Sequence, residues 1–167
     1  MRKGAAAFGR AHLGRLLALL VPVGLLGGAL GSQYLGGLQP CEMCYWQRWP
    51  HGAAIVLAAL AFTGAAGSQR SRSLTLLAAA AIAISGAIGV YHAGVELKIF
   101  EGVTSCTTTA SAASTAELLE QLMRVPLVRC DQVQWSFLGI SMAGWNAIIS
   151  LTAAAAIAAL TLSRGRK

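Results

Sequence analysis

The sequence predicts an all-α membrane protein: a four-helix transmembrane bundle with a short amphipathic interfacial helix in the second of two external loops. Three observations predict it. Of 167 residues, 56% are hydrophobic and 11% charged, and the mean hydropathy is +0.62, far from the balance of a soluble domain. The apolar residues fall into four runs, each near the roughly 20 residues that a helix needs to cross a bilayer. Basic residues collect at alternate ends of those runs.

The first span is expected over 16–38. It contains Pro22 and is followed by no small-residue cleavage site, so it reads as a retained helix rather than a signal peptide. The second span, 49–66, is entered through QPCEMCYWQRWPH, where Pro50 suits a first helical turn. The short turn GSQRSRS leads to the third span, 74–95. The fourth, 140–162, lies in an uncharged stretch too long for one crossing, so that stretch begins at the interface. The external loops are then 39–48 and 96–139, and the chain is a single membrane domain. In the second loop STAELLEQLMR reads as a helix: Ser114 and Glu117 have capping-box spacing, and Leu118, Leu119, Leu122 and Met123 share one side. With no soluble core to cover, it lies flat on the membrane, and Pro126 ends it.

The charges set the orientation. One side of the bundle receives Arg2, Lys3, Arg10, Arg15, Arg70, Arg72, Arg164, Arg166 and Lys167, with no acid. The other receives all the carboxylates together with Arg48, Lys98, Arg124 and Arg129. The positive-inside rule puts both termini in the cytoplasm. The net charge of +7 comes from small groups at helix ends and forms no basic face with interleaved aromatics, so the bilayer is the expected partner and nucleic acid is not.

This topology carries all four cysteines to the external face, which is oxidising in a bacterial inner membrane. Four cysteines allow three pairings. Cys41 and Cys44 form a Cys-x-x-Cys whose small ring suits a disulfide that is made and broken, because closing so short a loop stabilises little. Loop stapling is the structural alternative. No metal site is expected, since Cys106 and Cys130 lack knuckle spacing and the compartment favours oxidation. Arg48, four residues after Cys44, shares a helix face with it and is placed either to stabilise a thiolate or to snorkel to the headgroups. Tyr45, Trp46 and Trp49 form an interfacial belt or wall a flat ligand. His92 reaches the depth of Arg48 and is placed to hydrogen-bond a carbonyl ligand there; His12 and His51 have no comparable context.

Three ordered segments, CEMC with Arg48, YHAGVELKIFEGVTSCT and CDQVQWSFLGISMAGWN, resemble the DsbB family of bacterial inner-membrane disulfide bond formation proteins over nearly the whole chain. The resemblance implies a bound ubiquinone or menaquinone and a periplasmic thioredoxin-fold partner of the DsbA type, which the protein re-oxidises. It also implies roles. Cys106 and Cys130 are the disulfide that the reduced partner attacks, with Cys106 forming the mixed disulfide. Cys130 then attacks Cys41, and Cys44 is released as a thiolate to engage the quinone, with Arg48 supporting that charge and His92 as a quinone neighbour. Glu96 lies near a position that is often polar in the family, and an ordinary exposed carboxylate explains it equally. The chain lacks the long insertions some members carry in the second external loop, so its partner is either the general oxidant or a specialised homologue.

Two other classes compete. A vitamin K epoxide reductase-like protein is also a small bundle with four cysteines, but there the Cys-x-x-Cys follows the loop cysteines, and here it comes first. A structural or assembly membrane protein would hold two stable disulfides and reduce no quinone.

Overall fold

The computed structural model describes residues 2–102 and 128–163. Among the described residues four helices run in order: α1 (Arg2–Tyr34), α2 (Glu42–Ala61), α3 (Gln69–Glu96) and α4 (Met142–Leu162), the last preceded by a two-stranded hairpin, β1 (Ser136–Phe137) and β2 (Ile140–Ser141). Three of them, over Phe8–Tyr34, Gln69–Glu96 and Met142–Leu162, are long and apolar enough to cross a membrane. The first half of α2 carries Glu42, Gln47, Arg48 and His51, which lower its hydropathy below theirs. Cys106, the expected helix at 114–124 and Pro126 lie outside the described residues.

The element boundaries differ from the expected ones for local reasons. Helix α1 stops at Tyr34, not near 38, because Leu35 and Gly36 both donate back to Gly31 O and Gly37 turns the chain with φ +70°. Helix α2 begins at Glu42, well ahead of the expected 49. Cys41 is its N-cap: the backbone is extended and Sγ accepts from Cys44 N at 3.3 Å, the office a serine or aspartate usually fills. It ends at Ala61 rather than 66. Ser68 and Ser141 cap α3 and α4 in the same way, each accepting from the amide three residues on. The hairpin was not expected; it pairs Ser136 with Ser141 and Phe137 with Ile140, and its turn residues Leu138 and Gly139 both have positive φ.

Helix α3 packs most closely against α4 and α2, and α1 lies against α2 and α4. The centre of the bundle is small: Ala18, Ala54, Ala58, Ala78, Ala79 and Ala154 surround only two larger buried side chains, Ile82 and Ile157. Lipid tails are as apolar as leucine, so close packing of small residues, rather than burial from water, holds such helices together. At one end Arg15 closes the bundle. It donates to Ala61 O and Gly64 O at 3.2 and 2.9 Å and lies 4.7 Å above the Phe62 ring, a cation placed on the carbonyl end of α2.

At Gly89 the backbone of α4 comes close to α3. A Cβ there would stand 3.0 Å from Ala143 O and 3.1 Å from Ala147 N, both backbone atoms that cannot swing away, whereas a Cβ at Gly27 would meet nothing within 4 Å. Gly89→Ala is therefore expected to destabilise the bundle by about 1–3 kcal/mol, and Gly27→Ala to be neutral or slightly stabilising. Unfolding of the two variants in detergent checks the contrast; equal stability would show that the helices separate freely at Gly89.

Candidate redox centre and its cavity

The opposite end of the bundle gathers the chemistry. As N-cap, Cys41 holds its sulfur over the first turn of α2, and the one-turn spacing brings Cys44 Sγ to 3.0 Å from Cys41 Sγ. Cys130, on the loop ahead of the hairpin, is buried against Cys41 together with Met43 and Val95. Cys41 and Cys44 are free thiols. Cys41 is only 3% exposed. Hydrogen-bonding contacts with Cys130 and Cys44, and then burial, push its thiol well above the usual range. Cys44, ahead of the apolar part of α2, moves the other way, chiefly because it accepts from Cys41, with a backbone contact to Cys41 and, least, the charge of Arg48 adding to this against the opposing effect of burial. The pair is thus polarised, with negative charge favoured on Cys44.

The loop is fixed to α3 by ions. Lys98, at positive φ just past the end of α3, and Arg129 both donate to the carboxylate of Asp131. They hold its carboxyl far below the ordinary range. A depressed folded-state value means that the clasp contributes above the ordinary carboxylate pKa and is lost only as pH falls through the folded value.

Beside the thiols lies a cavity of about 700 Å³, within the range of sites for small molecules. Cys44, Arg48, His92, Glu96 and Asn146 line it, with Gly24, Gly28 and Ala29 of α1 as the facing wall. A Cβ at Gly24 or Gly28 would meet nothing within 4 Å, so nothing crowds these two positions, and Leu25 and Leu26 line the cavity beside them. Arg48 departs from its expected partner. Its guanidinium donates to Gln33 Oε1 and, at 3.1 Å, to Ala29 O, and lies 5.1 Å above the Tyr45 ring, leaving Nε buried without a partner. It spans from α2 to α1 across the mouth of the cavity and acts on Cys44 only as the weakest of several influences.

His92 also differs from expectation. Its Nδ1 is 2.8 Å from Gln47 Nε2, and its Nε2 is 3.5 Å from Cys41 Sγ and 3.9 Å from Glu96 Oε1. It lines the cavity, yet it faces a sulfur. Glu96 is no ordinary exposed carboxylate: it is largely buried and accepts from the Ser141 hydroxyl.

A polar network missing from the sequence reading lies behind these residues. Asn146 Nδ2 donates to Gln47 Oε1 at 2.8 Å and to Ser85 O at 3.2 Å. Asn146 Oδ1 faces His51 Nε2 at 2.9 Å and accepts from Ser150 at 3.0 Å. His51, dismissed for want of context, is 3% exposed, lines the cavity and also meets Ser85 Oγ at 2.9 Å. The signal was present as polar residues one turn apart inside apolar runs, Gln47 with His51 and Asn146 with Ser150, but only the helix register shows that they meet. The aromatic question resolves toward the belt. Tyr45, Trp46 and Trp49 are exposed, Trp49 by 78%, and are not among the residues lining the cavity, whereas Trp135 and Trp145 are.

The sequence model of the family described as "Disulfide bond formation protein DsbB" matches residues 11–160. Among curated relatives, the "Disulfide bond formation protein B" of Xanthomonas oryzae pv. oryzae (strain MAFF 311018) is 30% identical over 139 residues, covering 80% of each chain. The protein of that name from Aromatoleum aromaticum is 27% identical over 151 residues, covering 87% of this chain and 89% of its own. A third, from Marinobacter nauticus, is 29% identical over 140 residues, 79% of this chain and 80% of its own. No solved structure matches.

Two measurements probe this geometry. His51→Ala and Asn146→Ala are each expected to destabilise by about 1–3 kcal/mol by orphaning buried groups. The double variant should recover a coupling of about 1 kcal/mol; strictly additive losses would mean that the pair does not interact. Asp131→Asn removes the ionic clasp, so Cys130 should react several-fold faster with a thiol reagent at neutral pH, and an unchanged rate would show that packing alone holds the loop.

Proposed function

The chain belongs to the DsbB family of disulfide bond formation proteins, and from that premise we propose how its own residues carry the activity. It is a quinone-dependent disulfide oxidoreductase, which re-oxidises a thioredoxin-fold dithiol protein and passes the electrons to a membrane quinone. The partner in our reading is a DsbA-like periplasmic protein, and the quinone is ubiquinone or menaquinone. The observation that carries the assignment of residues is the convergence of Cys41, Cys44 and Cys130 beside a cavity bordered by Arg48.

The reduced partner attacks Cys106 of a Cys106–Cys130 disulfide, forming a mixed disulfide and releasing Cys130 as a thiolate. Cys130 attacks Cys41, forming a Cys41–Cys130 bond; the Cys41–Cys44 bond breaks and its electron pair leaves on Cys44. The packing of Cys130 against Cys41 supports this order, and the polarisation of the inner pair supports Cys44 as the leaving group. Across the cycle the partner's dithiol loses two electrons and two protons, and the quinone is the acceptor that takes up both.

The cavity fits a quinone head group on several counts: its volume, the uncrowded glycines of α1, a guanidinium with an unpartnered Nε, and a thiol on the lining. Arg48 orients the head group and holds negative charge near Cys44, while Met43 and Val95 keep water from Cys41. His92 and Glu96 border the same space.

The expected topology completes the reading. The three apolar helices and α2 form four crossings, with both termini in the cytoplasm and the cysteines in the periplasm, and the segment 114–124 is an amphipathic helix resting on the outer interface.

Purified protein given a reduced thioredoxin-fold dithiol partner and either a ubiquinone or a menaquinone analogue should reduce the quinone. Cys44→Ser should lower turnover at least 100-fold although Cys106 and Cys130 still exchange with the partner, and Arg48→Met should raise the quinone KM by about 10-fold or more. Full turnover in Cys44→Ser would remove that residue from the electron path.

A further inference from the structure

The donors and acceptors around His92 are determined by a chain of groups that can play only one role. Met43 O can only accept, so the Gln47 atom 3.1 Å away is its amide nitrogen. Ser85 O can only accept, so the Asn146 atom 3.2 Å from it is also the amide nitrogen, and that nitrogen in turn donates to Gln47 Oε1 at 2.8 Å. Both constraints orient the same amide. Gln47 therefore presents N–H, not oxygen, to His92 Nδ1 at 2.8 Å. A neutral imidazole that accepts at Nδ1 carries its proton on Nε2. That side of the ring faces Cys41 Sγ at 3.5 Å and Glu96 Oε1 at 3.9 Å, with a hydrogen-bonding contact to the Cys130 backbone.

We propose that Gln47 is a positioning residue that fixes the proton of His92 on Nε2, so that His92 donates to the sulfur of Cys41 and stabilises it as a thiolate. The inference deepens the functional reading above and rests on the cysteine roles given there. In the second half of that cycle the partner's second thiolate attacks the mixed disulfide, so that the partner leaves with its own disulfide and Cys106 is released as a thiolate, which attacks Cys130 of the Cys41–Cys130 disulfide. A new Cys106–Cys130 bond forms, the Cys41–Cys130 bond breaks, and its electron pair leaves on Cys41. This is the one step in which Cys41 must carry charge, and its burial opposes it. An N–H directed at the sulfur offsets that opposition, because hydrogen bonds to a charged form are strong.

The same orientation works against a competing use of these groups. Cys41, Cys44 and His92 have ligand atoms all within 4.8 Å of one another, a cluster able to hold a metal ion. Metal binding at Nε2 needs that nitrogen bare and the proton on Nδ1, usually donated to an oxygen. Gln47 offers Nδ1 a donor instead, so a metal could bind only by turning the amide and breaking its bonds to Met43 and Asn146.

The other ionisable groups near Cys41 are Glu42, Cys44 and, one turn on, Arg48 from α2; Tyr91 and Glu96 from α3; and Cys130 with the Lys98–Asp131–Arg129 clasp from the loop. Helix α4 contributes none. The test isolates the His92 effect in the full-length chain with Cys44, Cys106 and Cys130 all replaced by serine, so that Cys41 is the only thiol, and follows its alkylation by iodoacetamide against pH. Gln47→Leu frees His92 to place its proton on Nδ1, and His92→Phe removes the donor. Each should slow alkylation near neutral pH by about 10-fold and raise the apparent pKa of Cys41 by about one unit. A parental pH profile in Gln47→Leu or His92→Phe overturns the proposal. Should Gln47→Leu lose its fold, the His92→Phe arm decides, because a parental profile without the imidazole would show that no His92 N–H stabilises the Cys41 thiolate. The measurement uses neither quinone nor partner, so a failure of quinone reduction and a failure of this relay are read separately.

Discussion

One side-chain amide joins the parts of this protein that do chemistry. Gln47 sits on α2, donates to its own helix at Met43 O, gives a second N–H to His92 on α3, and accepts from Asn146 on α4. Around it the bundle is built mainly of alanine and glycine. Such surfaces allow close approach but specify rotation and register weakly, because one alanine face resembles the next. A buried amide with three partners on three helices does specify them. Turning α2 by one residue would orphan Gln47, Asn146 and His92 together.

The positions of Cys41 and Arg48 follow from that registration. Fixing α2 against α3 puts the N-cap of α2 beside His92, so the sulfur that caps the helix is also the one nearest an imidazole N–H. It also turns Arg48 toward α1, where Gln33 and Ala29 O hold it over the cavity rather than against Cys44. Arg48 is thereby free of a tight ion pair. Its unpartnered Nε is the kind of buried donor that a polar ligand satisfies.

How much of this was legible in the sequence divides along a physical line. The hydropathy runs, the alternation of basic ends and the Cys-x-x-Cys are local properties, readable residue by residue, and they led to a four-helix bundle and to Cys41, Cys44, Cys130, Arg48 and His92. Contacts between helices are not local. Nothing in the spacing of Gln47, Ser85 and Asn146 says that they meet, and His51 looked like an isolated histidine until α4 placed Asn146 beside it. The helix start at Glu42 escaped because cysteine is not the usual capping residue, and the hairpin escaped because Leu138 takes a positive φ that turn chemistry assigns to asparagine or glycine. Even His92 was read by depth alone. Depth put it at the cavity, and only the orientation of Gln47 shows which neighbour receives its proton.

The N-cap role of Cys41 links the covalent state of the sulfurs to the electrostatics of α2. With Cys41 at N-cap, Cys44 occupies the third helical position, where the unpaired amides at the helix start favour negative charge. Charge on Cys44 is therefore stabilised by the helix end as well as by the thiol of Cys41. When Cys41 is bonded to Cys130 it has no thiol proton to donate, and the Cys44 thiolate then depends on the helix end and on Arg48. Those are the two influences that border the cavity, so the step that breaks the Cys41–Cys44 bond leaves the charge where a flat acceptor can reach it. Breaking the Cys41–Cys130 bond puts a thiolate on Cys41, where the Cys44 amide and His92 both face the sulfur, and the inner pair closes again as the quinone takes its electrons.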